Sequence, residues 1–173
     1  MTDIDFVTMN DTEAWLALAR EVEPLFGPMA GEAGFIQAVE EIIAARKAYC
    51  VRDREGLAGG VAVSGNAIEW LAVAARARGK GYGRALLAFA LEKCDPALAV
   101  TVQTFDASCP EGAAARQLYT DAGFVETEKA GPNPAGVGTV MMRRSSAGKG
   151  DRGGVGQTRC PAGRHEEKPG VRK

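Results

Sequence analysis

The stretch Ala67-Ile68-Glu69-Trp70-Leu71-Ala72-Val73-Ala74, followed by Arg78-Gly79-Lys80-Gly81-Tyr82-Gly83-Arg84 and then Ala85 to Lys93, decides how this chain is read. The first run is apolar apart from Glu69, the pattern of a strand covered on both faces. The last carries Leu86, Leu87, Ala90 and Leu91 at helical spacing, and Pro96 follows its end. Glycines 79, 81 and 83 lie between strand and helix. Backbone N–H groups converge on an anion only where side chains do not obstruct the approach, and the unsatisfied amides and positive dipole end of the next helix face the same point. Arg78, Lys80 and Arg84 add positive charge. Such a segment can cradle a pyrophosphate, although glycines also serve strand-to-helix turns for purely steric reasons. It lacks the Gly-Lys-Ser/Thr ending of a nucleotide-triphosphate loop and the Gly-x-Gly-x-x-Gly spacing of a dinucleotide fold, which disfavours ATP and nicotinamide chemistry.

Outward from this segment the elements alternate. Upstream, Ile4 to Met9 predicts a strand, and Asn10-Asp11-Thr12 offers N-cap chemistry to a helix with Trp15, Leu18, Ala19 and Val22 on one face, ended by Pro24 and Gly27-Pro28. A second helix is expected through Phe35, Ile36, Val39, Ile42 and Ile43. Ala48 to Arg52 and Ala58 to Ser64 form a hairpin around Gly56. Downstream, Leu98 to Phe105 predicts a strand and Ala113 to Asp121 a short helix ending before Gly123. Val125 to Lys129 and Val137 to Arg143 pair around Gly131-Pro132-Asn133-Pro134. The order β-α-α-β-β-β-α-β-α-β-β indicates an α/β fold with layered helices and sheet.

The chain has 173 residues, 46% of them hydrophobic, and a formal charge of −1, with a pI near 5.9. That length suits one core, so residues 1–144 are expected as a single domain. From 145 to 173 Gly, Arg, Lys and polar residues predominate, the composition of a disordered tail. The charge balance gives no reason to expect nucleic acid or a membrane as partner. No apolar run approaches the roughly 18 residues that span a bilayer, and MTDIDFVTMN carries acids where a leader has basic residues, so the cytoplasm is the default expectation. Cys50, Cys94, Cys109 and Cys160 are scattered and His165 is the single histidine. A metal site and a Cys-His or Ser-His nucleophile are poorly supported.

Arg78-x-x-Gly81-x-Gly83, preceded by Trp70-Leu71-Ala72-Val73, resembles the acetyl-CoA-binding motif of the GNAT superfamily of N-acetyltransferases. Ala115-Arg116-Gln117-Leu118-Tyr119 with Ala122-Gly123-Phe124 is similar to that superfamily's second signature. The resemblance spans roughly residues 4 to 143. It implies a mixed, strongly twisted sheet of six to seven strands with about four helices, whose middle strands splay to admit the pantetheine arm of acetyl-CoA. It also implies pyrophosphate binding by Arg78 to Arg84, pairing of the arm with the backbone around Leu71, Ala72 and Val73, and polarisation of the thioester by an N–H near Val73. Where members often carry asparagine before the short helix, this chain has Gly112.

Acetyl transfer to an amine needs a neutral amine, a stabilised oxyanion and a proton for the departing thiolate. Tyr119 matches the family tyrosine that protonates the sulfur; a core-packed ring is the plainer alternative. Glu69 is the candidate general base, the only ionisable residue in its strand, and alternation predicts that it shares a face with Leu71 and Val73. A solvated strand start would explain it equally. Asp106, Glu23 and Glu32 are rivals better suited to holding a cationic acceptor. Trp15, Trp70 and Phe124 are expected in the core, and Cys109 is read as an incidental thiol. The expected reaction is N-acetylation of a small-molecule or peptide primary amine, read by Glu23 to Gly34 and Ala130 to Gly138. A non-catalytic acyl-CoA-binding sensor or scaffold module is the alternative. Homodimers are common in the superfamily, and nothing in the sequence marks an interface.

Overall fold

The computed structural model describes residues 2–146. The stretch expected as a tail lies outside the described residues from Ala147 onward.

The strands are β1 (Ile4–Phe6), β2 (Ala48–Asp53), β3 (Gly56–Ser64), β4 (Ala67–Val73), β5 (Val100–Phe105), β6 (Val125–Pro132) and β7 (Gly138–Arg144). The helices are α1 (Thr12–Phe26), α2 (Ala33–Ala44), α3 (Tyr82–Lys93) and α4 (Ala113–Asp121). They build one seven-stranded sheet in the order β1-β2-β3-β4-β5-β7-β6. Every neighbouring pair is antiparallel except β4 and β5. Chain order and fold class match the sequence-based expectation.

Several boundaries differ for local reasons. Pro24 lies inside α1 and does not end it; one hydrogen bond is lost there, and the last turn closes at Gly27, whose φ of 97° suits glycine and whose N–H bonds Glu23 O at 2.8 Å. Asp11 sits at the N-cap of α1 but makes no side-chain capping bond. Its carboxylate instead accepts from the Thr8 amide at 2.8 Å and from Arg52 at 2.9 Å. Helix α3 starts at Tyr82, within the glycine-rich segment, because Gly81 adopts the left-handed conformation that opens the first turn.

One buried cluster joins Leu86, Leu87 and Ala90 of α3 to Val61, Val63, Ile68, Val102, Val140 and Met142 of the sheet. A second joins Trp15, Leu16 and Ala19 of α1 to Val39 and Ile43 of α2 and to Cys50 and Ala62. Gly60 permits the second: a Cβ there would lie 2.5 Å from the Trp15 ring. The two clusters fix β4 between them, and β4 carries the site.

Candidate active site

Strands β4 and β5 pair only through Ala67 with Thr101 and Ile68 with Val102. Beyond these residues they part. Gln103, Thr104 and Phe105 stay registered on β7, opposite Met141, Val140 and Thr139. Strand β4 departs because it carries a bulge: Val63 pairs with Ile68 and Ala62 with Trp70, leaving Glu69 without a partner. An extra residue bends and twists its strand. The Ala74 amide donates to Ala58 O on β3 at 2.9 Å. Alternation then turns Ala72 towards β3 as well, and directs the N–H groups of Leu71 and Val73 into the gap. Ala72 therefore leaves the set of backbone groups expected to face a ligand arm, while Leu71 and Val73 remain in it.

The glycine-rich segment closes the end of β4. Gly79 and Gly81 take φ of 77° and 84°, and a Cβ on either would meet nothing within 4 Å. Glycine is needed there for its backbone and not for space. The first helical bond runs from Ala85 N to Gly81 O at 3.0 Å. Among the described residues no backbone bond outside the helix and no side chain engages the amides of residues 79 to 84. Open amides at the positive end of a helix dipole make this a socket of the kind that suits an anion.

The socket is braced from three sides. Glu21 of α1 accepts the Ala75 N–H at 2.8 Å. Arg76 pairs with Asp53 at 2.5 Å and donates to Leu57 O at 3.1 Å. Arg78 Nε donates to Val73 O at 3.3 Å. Sequence reading missed Glu21 and Asp53, since no motif links residues so far apart. Lys80 lies within the segment and Tyr82 opens α3, and Arg84 is drawn towards Asp121 of α4 at 3.7 Å. A Cβ on Gly83 would lie 3.6 Å from both Val73 and Leu118, so this glycine packs between β4 and α4. The two sequence motifs thus meet.

Tyr119 is 5% exposed and stands edge-on to Phe124, with ring centroids 5.6 Å apart. Phe124 N returns to Tyr119 O at 3.0 Å around Gly123, whose φ is 87°. Burial alone pushes the Tyr119 hydroxyl above the ordinary tyrosine range. The ring packs into the core and its proton is firmly held.

Glu69 does not share a face with Leu71 and Val73. The bulge breaks the alternation, so Glu69 and Trp70 both line a groove on the opposite side, under α1 and α2. Trp70 is half-buried and stacks at 4.7 Å on Trp15, which is 2% exposed. Its indole N–H is buried with no partner, a cost of about 1–3 kcal/mol. Trp15 and Phe124 are core residues as expected, whereas Trp70 is also a groove wall.

The segments expected to read an acceptor come together. Asn133 donates to Leu25 O at 2.7 Å, and Phe26 stacks on Phe105 at 4.8 Å. Glu23 is committed to folding its own segment: its Oε1 accepts from Met29 N and Ala30 N at 2.9 and 2.8 Å, and these bonds hold its pKa below the carboxylate norm. Asp106 is likewise held down by the hydroxyl and amide of Ser108. Glu32 precedes α2 without a capping bond. Gly112 is explained by Phe105, whose side chain occupies the volume that any Cβ at 112 would enter. Cys109 is buried. Among the described residues no cluster of His, Cys, Asp or Glu could hold a metal ion, and no helix is long and apolar enough to cross a membrane.

A profile of the acetyltransferase (GNAT) domain matches residues 34–126, more than half of the chain. Similar solved structures include a ribosomal-protein-alanine N-acetyltransferase from Brucella melitensis (19% identity, TM-score 0.65, covering 83% of this chain and 99% of that one). Another is yncA from Salmonella typhimurium with its cofactor acetyl-CoA (14% identity, TM-score 0.65, 87% and 96% covered). A third is the paia N-acetyltransferase from Thermoplasma acidophilum in complex with coenzyme A (15% identity, TM-score 0.60, 84% and 99% covered). At these identities the likeness is one of fold. No curated protein matches the chain.

Proposed function

The chain belongs to the acetyltransferase (GNAT) family, and from that premise we propose that residues 1–144 form a single domain transferring the acetyl group of acetyl-CoA directly to a primary amine. The observation that carries this reading is the alignment of two features: a backbone socket at residues 79 to 84, and a strand gap beside it into which Leu71 and Val73 turn their N–H groups. The socket suits the pyrophosphate. The gap suits the pantetheine arm, whose amides can pair with the free edge of β4. Likeness to structures holding acetyl-CoA and coenzyme A supports the same substrate.

In this reading the amine nitrogen attacks the thioester carbon, and a backbone N–H near Val73 stabilises the oxygen as it gains charge. The carbon–sulfur bond breaks, and sulfur takes the Tyr119 proton. The amine proton leaves through water to Glu69, which stands where the gap opens. No covalent acyl-enzyme is needed. The acceptor is a small-molecule or peptide amine, and the reaction suits the cytoplasm, where acetyl-CoA is made.

The test is thiol release from acetyl-CoA in the presence of amines, compared with a Gly81→Glu variant. The expected result is amine-dependent release that the variant loses together with acetyl-CoA binding. Intact binding by Gly81→Glu would refute the socket.

A further inference from the structure

The geometry points to an acceptor that is an amine with an apolar, aromatic-sized body, seated in the groove between α2 and strands β3 and β4 with its ammonium at Glu69. This inference rests on the transferase reading for its chemistry and on the groove for its specificity. The groove is open to solvent and offers about 530 Å³, within the range of roughly 300–1,000 Å³ usual for small-molecule sites. Its walls are Trp15 and Trp70 on one side and Phe35 and Ile42 of α2 on the other. Such walls reward an apolar body, because each buried methylene contributes about 0.8 kcal/mol. A strongly hydrated polyamine would gain little from them.

Charge selects the other end. The ionisable groups lining the groove are Glu41, Lys47 and Glu69, so acids outnumber bases two to one. Glu69 follows immediately after Ile68, the last β4 residue paired with β5. Of the two acids, Glu69 therefore stands where the groove meets the gap, and Glu41 lies on α2. An amine held there lies beside the strand edge assigned to the thioester arm, while its body lies along α2. The bulge that turns Glu69 away from Leu71 is what puts carboxylate and aromatic walls in one cavity.

The chain's two tryptophans are Trp15 and Trp70, so tryptophan fluorescence reports on this groove alone. Phenethylamine, which lacks an indole, is the probe, with spermidine and ethanolamine as polar comparators. Phenethylamine should change the emission saturably, and the comparators should not. Ala38→Phe adds bulk from the exposed side of α2 that lines the groove. It should weaken phenethylamine at least tenfold while acetyl-CoA binding stays unchanged, and Ala45→Phe, at the C-cap of the same helix, repeats the block. A flat titration, an equal response to spermidine, or unaltered binding by both variants overturns the inference. Saturable binding of phenethylamine with no thiol release from any amine would leave the groove standing as a binding site and sink the transferase reading. Acetylation of spermidine with a silent groove would do the reverse.

Discussion

The Tyr119 ring meets Phe124 edge-on at 5.6 Å, across the glycine that ends α4. That contact buries the phenol and keeps its proton on beyond the pH at which a free tyrosine, of pKa about 10, would lose it. An acid so placed serves sulfur only if the arm reaches it. Tyr119→Phe should lower kcat on the order of 100-fold or more, as general acids do, with the KM for acetyl-CoA little changed. In the unaltered protein the rate should show no alkaline fall from this group up to about pH 10. A kcat unmoved by the substitution removes Tyr119 from the mechanism.

Gly81 combines a φ of 84° with open space around its absent side chain, which separates backbone strain from steric clash. Gly81→Ala is expected to cost about 1–2 kcal/mol from left-handed strain and to weaken acetyl-CoA by straightening the socket. Asparagine tolerates this conformation better than alanine. Calorimetric titration should therefore rank affinity as glycine, then asparagine, then alanine. Equal affinities for all three would mean that the loop conformation is irrelevant to binding.

Gly112 is held by Phe105, and introducing the asparagine that the resemblance led one to expect there should overpack the core. Gly112→Asn is expected to destabilise by about 1–3 kcal/mol in urea unfolding. Shortening the obstacle in the pair Gly112→Asn with Phe105→Leu should recover part of that loss. Independent, additive losses would show that the two positions do not compete for one volume.

Cys50 is fully buried, and desolvation lifts its thiol from 9.0 to about 11, partly opposed by Arg52. The folded value exceeds the unfolded one. The contribution to stability is thus complete below pH 9 and is lost as pH rises towards 11. Cys50→Ala should flatten the alkaline limb of the stability profile without altering its acid limb. In the native protein Cys50 should resist alkylation at neutral pH, which mass spectrometry of the labelled chain would read.

The order of elements was legible because helical and strand periodicities are local properties, and Leu86, Leu87, Ala90 and Leu91 announce their helix without reference to anything else. The glycine turn between β4 and α3 was legible for the same reason, being one continuous segment. The face of Glu69 was not. Alternation holds only while a strand keeps its register, and the bulge is set by how Ala62 and Val63 pair with β4, which no pattern within residues 67 to 74 records. The brace from Glu21 to Ala75 was equally hidden, since it joins a helix to a loop through a single carboxylate. Pro24 was over-read as a stop, although a helix can finish one more turn beyond proline when a glycine closes it.

The row of unclaimed amides at residues 79 to 84 carries a thermodynamic consequence for the chain as a whole. Without ligand these groups are satisfied only by water, so their hydrogens should exchange rapidly with solvent. A diphosphate that displaces this water binds the folded state and finds no such arrangement in the unfolded one. Acetyl-CoA at 100 times its Kd would then add about 2.7 kcal/mol to stability. The supply of acetyl-CoA would set how long the protein survives as well as how fast it works.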